Sequence, residues 1–268
     1  FDAFNLSLTI VSSGGFLIVN NISEILNSNF QIYTFSFTML ISFFGILLPY
    51  NVLFLKKKNL QVFTEDLYLL IYFIFIVGFF FLFFNQDSSF SLTLFSLVSS
   101  ISNIGISFDN YTQNNFIFLI LVIIGGSLVS TSSGLRFLKI YLLTKFSFNE
   151  LVSHSKPKHI LLNKILFSNV KINIDDINKY FFTLIIFIIS LCLLVSLLTL
   201  LNIGFENAFK LGVLTLMNTV NSNLYSLENI NFVEFTYPLK FTLILFMIIG
   251  RIEFISILIL IKKFVFKN

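Results

Sequence analysis

An all-α polytopic membrane protein is the fold class this sequence predicts, and three observations carry it. The chain of 268 residues is 56% hydrophobic and only 11% charged, with a mean hydropathy of +0.93. A water-soluble domain carries roughly a quarter charged residues, so a soluble enzyme is nearly excluded. Apolar runs at 32–55, 67–84, 116–145, 180–201 and 238–265 suit a hydrocarbon core of about 30 Å, which takes about 20 helical residues. Finally, the charges between the runs sort by side.

Lys56, Lys57 and Lys58 follow the first run. Arg136, Lys139, Lys145, Lys156, Lys158, Lys164, Lys171 and Lys179 bracket the central connection, and Lys262, Lys263 and Lys267 close the chain. All fall on one side of the proposed membrane, which the positive-inside rule makes cytoplasmic. The opposite side carries Asp2, Glu24, Asp87, Asp109, Glu206, Glu228 and Glu234 against Lys210 and Lys240. An acidic outer rim concentrates cations; for any single carboxylate, a solvated loop charge is the simpler explanation. A net charge of +4 argues against a nucleic-acid binder. Cys192 is the single cysteine, and His154 and His159 share one polar stretch, so disulfide frameworks and His/Cys zinc sites are excluded.

Three further apolar stretches, 1–11, 89–101 and 206–220, are too short to span at about 1.5 Å per residue and read as re-entrant half-helices. Each runs into a small or polar cluster: Ser12-Ser13-Gly14-Gly15-Phe16, Ser102-Asn103-Ile104-Gly105-Ile106-Ser107 and Asn218-Thr219-Val220-Asn221-Ser222. A long apolar run follows each time. The chain thus repeats a unit of long helix, half-helix, polar loop and long helix, with the first copy entered midway. Non-helical backbone at membrane depth must face protein or a water-filled path. Loops recurring after half-helices therefore point to a pore lined by backbone carbonyls. One such cluster alone would be an ordinary interhelical turn; three in register favour the pore.

These residues resemble the Trk/Ktr/HKT superfamily of potassium transporters, most closely its TrkH-type membrane subunit. Residues 1–16 (FDAFNLSLTIVSSGGF) look like a pore helix and filter strand of that family. Residues 124–139 (IGGSLVSTSSGLRFLK) resemble its signature in a broken inner helix, and residues 247–253 (MIIGRIE) resemble the motif of its last inner helix. The likeness covers essentially the whole chain in the same order. It implies pore units arranged pseudo-fourfold around a central pore. This chain would supply the end of a second unit (1–55), a third (67–148), a cytoplasmic loop (149–179) and a fourth (180–268). Phe1 in place of an initiator Met agrees with an incomplete chain.

The resemblance implies a cation filter at Ser13, Gly14, Gly15, Asn103, Ile104, Gly105, Thr219, Val220 and Asn221, with K+ bound at these loops. The family's key glycine is matched by Gly15 and Gly105; in the last loop that position is assigned to Asn221, which opens the choice between K+ and Na+. It further implies an intramembrane gate at Gly125, Gly126, Ser127, Ser130, Thr131, Ser132, Ser133 and Gly134, facing Arg251. Independently of the resemblance, these residues have low helix propensity and break a run that would otherwise be continuous. A kinked helix packed through small residues is an equal reading. Arg251 lies about eleven residues, roughly 16 Å, from the Lys-rich helix end, so it must face a partner or water. Glu253 lies on another face of the helix; a structural arginine capping carbonyls of the broken helix is the alternative to a pore role.

The function expected is uptake of a monovalent cation across a bacterial inner membrane, with no cofactor besides the transported ion. By resemblance the chain forms a homodimer in the lipid bilayer and docks a TrkA-like nucleotide-binding regulatory subunit on its cytoplasmic face. The alternative is a membrane subunit of a proton-translocating redox complex, which needs a chain of buried ionisable residues; only Arg251 and Glu253 lie clearly within a span. An intramembrane hydrolase would use Ser132 or Ser133, but no base lies at suitable depth.

Overall fold

The computed structural model describes residues 1–17, 19, 21–44, 60–83, 89–108, 115–127, 130–155, 174–220, 223–227 and 232–252. Nine helices lie among them: α1 (Asp2–Ser12), α2 (Asn29–Phe44), α3 (Leu60–Phe83), α4 (Phe90–Ile101), α5 (Asn115–Ile123), α6 (Phe137–Ser155), α7 (Ile174–Leu200), α8 (Phe205–Met217) and α9 (Tyr237–Ile252). Between α5 and α6 run two short strands, β1 (Ile124–Gly125) and β2 (Leu135–Arg136), paired in parallel with Ile124 opposite Leu135 and Gly125 opposite Arg136.

Local chemistry sets these boundaries. At the start of α2 the Gln31 side-chain oxygen accepts from the amides of Asn27 (2.9 Å) and Ser28 (3.1 Å), while Ser28 Oγ accepts from the Gln31 amide (3.3 Å). This reciprocal pair satisfies N–H groups that the first helical turn leaves open. Inside the apolar helices, Ser42, Ser190 and Thr242 return their hydroxyls to carbonyls three residues back, so each polar side chain is satisfied without water.

The half-helices α4 and α8 are largely buried, whereas α1 and the long helices α3 and α7 are largely exposed. Nine of the twelve residues of α4 are buried. Leu97 and Ile101 of α4 join Phe118 and Val122 of α5 and Val213 and Met217 of α8 in one cluster. A second cluster gathers Leu6 and Ile10 of α1, Phe35 and Met39 of α2, and Phe95 and Val98 of α4. The third packs Leu194 and Leu198 of α7 against Leu211 of α8 and Leu239 and Phe246 of α9. By contrast, Glu65–Phe83 and Ile177–Leu200, the two described helices long and apolar enough to cross a membrane, are only 17% and 28% buried. Phe75, Phe79, Ile188 and Ile189 face outward. Apolar area of this extent turned away from the core requires lipid or another protein surface.

α6 continues to Ser155 and α7 begins at Ile174, so helix extends into both ends of 149–179. One expectation changes here. The run at 116–145 is interrupted from Ile124 to Arg136, two residues beyond the expected break, because the β1–β2 pairing draws Leu135 and Arg136 out of the helix.

Candidate functional site

The three half-helices end in the same hydrogen-bond pattern. Ser13, Asn103 and Asn218 adopt left-handed backbone angles, with φ of 49°, 60° and 52°. Their amides bond to carbonyls three residues back: Ile10, Ser100 and Thr215, at 3.1, 3.2 and 3.2 Å. The next amides, of Gly14, Ile104 and Thr219, bond five residues back to Thr9, Ser99 and Leu214, at 3.1, 3.1 and 3.0 Å. This is the Schellman termination, and its repetition aligns the three loops residue by residue.

The alignment moves one expectation. Two residues after the left-handed position come Gly15 (φ 67°) and Gly105 (φ 81°), and in the third loop Val220, which is not among the residues of positive φ. The glycine position therefore falls on Val220. Asn221, assigned to it from sequence, stands one residue further on and lies outside the described residues. The one-residue difference arises because Asn218, rather than Thr219, closes α8 in the left-handed conformation.

The loops meet. A Cβ added to Gly15 would collide with the Ile104 carbonyl oxygen and lie 2.7 Å from Val220 Cγ2. One added to Gly105 would collide with the Val220 carbonyl oxygen and lie 2.7 Å from Thr219 Cγ2. Only glycine combines this clearance with the positive φ at these two positions. Three helix C-termini, each with the partial negative charge of its end peptides, thus converge on one point, an arrangement that favours a cation.

Each left-handed residue also ties its loop to a neighbour. Ser13 Oγ shares a 3.0 Å hydrogen bond with Thr131 Oγ1. Asn103 Nδ2 donates to the Ser133 carbonyl at 2.8 Å, and Asn218 Nδ2 to the Met247 carbonyl at 3.0 Å. Asn103 is fully buried, and its Oδ1 has no hydrogen-bond partner among the described residues.

The broken stretch between α5 and α6 lies against these loops. Gly126 passes so close to α2 that a Cβ there would collide with the Phe43 carbonyl oxygen, which accepts from the Ser127 amide at 3.1 Å. Gly125 and Gly134 lie backbone to backbone beside the strand pair. Within the segment Ser132 Oγ accepts from the Gly126 amide (2.9 Å), and Ser130 Oγ bonds to the Ser127 carbonyl (2.8 Å) and to Ser132 Oγ (2.8 Å). Of the expected gate residues, Gly125, Gly126, Ser127, Ser130, Ser132 and Ser133 are buried.

Arg251 reaches this segment from α9. Its Nη1 donates to Ser133 Oγ at 2.8 Å and its Nη2 to the Ser12 carbonyl at 3.1 Å. One guanidinium thereby joins α9, the segment and the C-terminal end of α1, while Glu253 lies outside the described residues. A small cavity of about 100 Å3 lies between Arg251, Arg136 and Ser130–Ser133. A larger one, about 670 Å3, opens between the first and third loops, lined by Ser12, Ser13, Thr219, Val220, Met247 and Arg251.

Sequence reasoning counted Arg136 among the charges that bracket the central connection, and the structure adds that its side chain bonds the broken stretch. Its Nη1 lies 3.1 Å from the Ser127 carbonyl, 3.2 Å from the Ser130 carbonyl, 3.0 Å from Ser130 Oγ and 3.0 Å from the Ser132 carbonyl. A signal was present: Arg136 stands two residues after Gly134, the last of the small-residue run, within reach of its carbonyls. Glu65 and Asp66 were also missed as buried groups; they lie in the first turns of α3, 6% and 5% exposed. Among the rim carboxylates Glu206 is paired with Lys210 at 2.7 Å, and this hydrogen bond and the Lys210 charge hold its carboxyl below the usual range. No group of three or more His, Cys, Asp or Glu suited to a metal occurs among the described residues.

The potassium transporter TrkH from Vibrio parahaemolyticus superimposes on this chain with a TM-score of 0.83, over 97% of this chain and 57% of that one, at 20% identity. The likeness establishes the fold. This chain shares the fold of that protein, nearly all-helical and polytopic, and it spans little more than half the length of the transporter it matches. No protein-family model matches the sequence, and no curated protein matches it.

Proposed function

We propose that this chain forms part of a path for monovalent cations, K+ or Na+, through a bacterial inner membrane, driven by the membrane potential. The observation that carries the reading is the convergence of three identically terminated half-helices, with Gly15 and Gly105 packed against the carbonyls of Ile104 and Val220. Carbonyls held in such a cluster replace water around a dehydrated cation. A fold shared with a potassium transporter supports the same substrate class. Inward movement of one charge gains about 2.3 kcal/mol per 100 mV, enough to drive accumulation without a cofactor.

In this reading the filter is Ser13–Gly15, Asn103–Gly105 and Thr219–Asn221, and residues 125–127 and 130–134 form the gate beneath it. Arg251 both obstructs the path with its charge and ties the gate shut through Ser133 and the Ser12 carbonyl. Val220 makes the filter unequal: it sets an isopropyl group against Gly15 where the first two loops have no side chain, and so biases which ion passes. The exposed flanks of α3 and α7 face lipid or a second copy of the chain in a homodimer. The basic central connection between α6 and α7 receives a nucleotide-binding regulatory subunit.

The deciding experiment is cation uptake by the full-length protein in a potassium-uptake-deficient strain and in proteoliposomes. Wild type restores growth at low K+, and Arg251→Gln raises uptake several-fold by loosening the gate. Absence of cation flux from correctly inserted wild-type protein would sink the proposal.

A further inference from the structure

The face that α9 turns toward α8 changes character at one position. Leu239, Leu243 and Phe246 recur at helical spacing and pack with Leu211 and Leu216 of α8 and Leu194 and Leu198 of α7. The next position of that stripe is 250, where a large apolar residue would continue it and Gly250 stands instead. The partner surface supplies the reason. A Cβ on Gly250 would collide with the Leu216 carbonyl oxygen and lie 3.1 Å from Leu216 Cα, so at this level α9 meets backbone rather than side chains. The Leu216 carbonyl belongs to the last turn of α8, whose carbonyls have no further helical amides to accept from. Those of Leu214 and Thr215 take the Thr219 and Asn218 amides, while that of Leu216 faces the Cα of Gly250 in the manner of a Cα–H···O contact. One turn earlier on α9, the Met247 carbonyl accepts from Asn218 Nδ2 at 3.0 Å. The end of the third half-helix and the start of its loop thus hold α9 at two places, Met247 and Gly250, immediately before Arg251.

We infer that Gly250 is a positioning residue: by letting α9 rest on the Leu216 carbonyl, it sets where the Arg251 guanidinium lies. Arg251 spans two acceptors on different elements, Ser133 Oγ at 2.8 Å and the Ser12 carbonyl at 3.1 Å. Meeting both at once requires its Cα at one depth and one distance from α8. Any side chain at position 250 must push the α9 backbone off α8 by about 1 Å, and a shift of that size carries hydrogen bonds of this length out of range. The guanidinium can follow one acceptor after the shift and loses the other. Arg251 is therefore registered to the third loop through backbone contacts, and a glycine with no chemistry of its own decides where its charge stands. The inference rests on the proposed cation path for its effect on flux, whereas the seat of α9 on α8 is independent of that reading.

The test pairs structures of the full-length protein in nanodiscs with cation flux in proteoliposomes. In Gly250→Ala the Arg251 guanidinium should lose the Ser12 carbonyl, Ser133 Oγ or both, and flux should rise several-fold, as in Arg251→Gln. The double variant Gly250→Ala/Arg251→Gln should match Arg251→Gln alone within about twofold, because the glycine acts through the arginine. A merely structural glycine would change flux equally in both backgrounds. Should Gly250→Ala fail to fold, Asn218→Gly serves instead. It keeps the left-handed turn at φ 52° but removes the bond to Met247, and it should displace Arg251 in the same way with a smaller rise in flux. Arg251 holding both contacts in Gly250→Ala, or in Asn218→Gly where that variant replaces it, overturns the inference. So does a double variant whose flux departs from Arg251→Gln by the full effect of the single alanine. Absence of flux in every protein, wild type included, would sink the cation path, and the place of the guanidinium in the variants would still decide the role of Gly250.

Discussion

The second and third loops begin alike and end differently. Both follow a half-helix closed by a left-handed asparagine, Asn103 and Asn218, with the same pair of backbone hydrogen bonds. In the second loop every residue from Ser102 to Ile106 is buried except that Gly105 has no side chain to bury, and Ser99 Oγ reaches forward to the Ile106 carbonyl at 2.7 Å. The matching place in α8 is Leu214, which offers no such bond, and Val220 replaces the glycine. The asparagines also face different partners, the Ser133 carbonyl for Asn103 and the Met247 carbonyl of α9 for Asn218. One loop is a rigid wall braced from within; the other is held by packing and presents an apolar side chain to its neighbours. A shared helix termination therefore fixes where each loop starts, while the two or three residues after it decide which groups the loop presents.

Making the second loop resemble the third should do the most damage. Gly105→Val places a Cβ against the Val220 carbonyl oxygen at a φ of 81°, and backbone strain alone costs about 1–3 kcal/mol. The expected outcome is loss of cation flux and a clear fall in the thermal unfolding midpoint in detergent. The reverse change is milder. Val220→Gly removes the isopropyl group beside Gly15 and should raise flux several-fold and shift the K+/Na+ ratio, with Val220→Leu moving flux the other way; bi-ionic reversal potentials would reveal either. Equal selectivity in all three proteins would show that Val220 does not contact the permeating ion.

The smallest effect is expected from Ser99→Ala. Loss of the Ser99 hydrogen bond leaves the Ile106 carbonyl unpaired in a buried site, worth about 1–3 kcal/mol of stability. Flux should change less than twofold, because the Schellman bonds of Asn103 and Ile104 remain. A large loss of selectivity in this variant would mean that the forward bond, and not the helix termination, shapes the second loop.

Much of the architecture was legible in the chain. The three half-helices fall within a few residues of the short apolar stretches, and the interruption at 124–134 is where Gly and Ser accumulate, because lipid admits only helices of sufficient length and small polar residues break them. That Arg251 needs a partner was legible from its place in the run, and Ser133 Oγ supplies one. Its second acceptor, the Ser12 carbonyl, was not, because a carbonyl carries no label in the sequence.

Hydrophobic length, charge sidedness and helix propensity are local quantities, and by themselves they determined a re-entrant, pore-like membrane fold with one broken inner helix. Tertiary structure alone decided that Val220 takes the place of Gly15 and Gly105 in the third loop, and that Arg136 bonds Ser127, Ser130 and Ser132. Both outcomes depend on which residue completes a hydrogen-bond pattern: the left-handed turn at Asn218 in one case, the carbonyls of the broken stretch in the other. Backbone donors and acceptors are the same in every residue, so their pairing is settled only when the chain closes on itself.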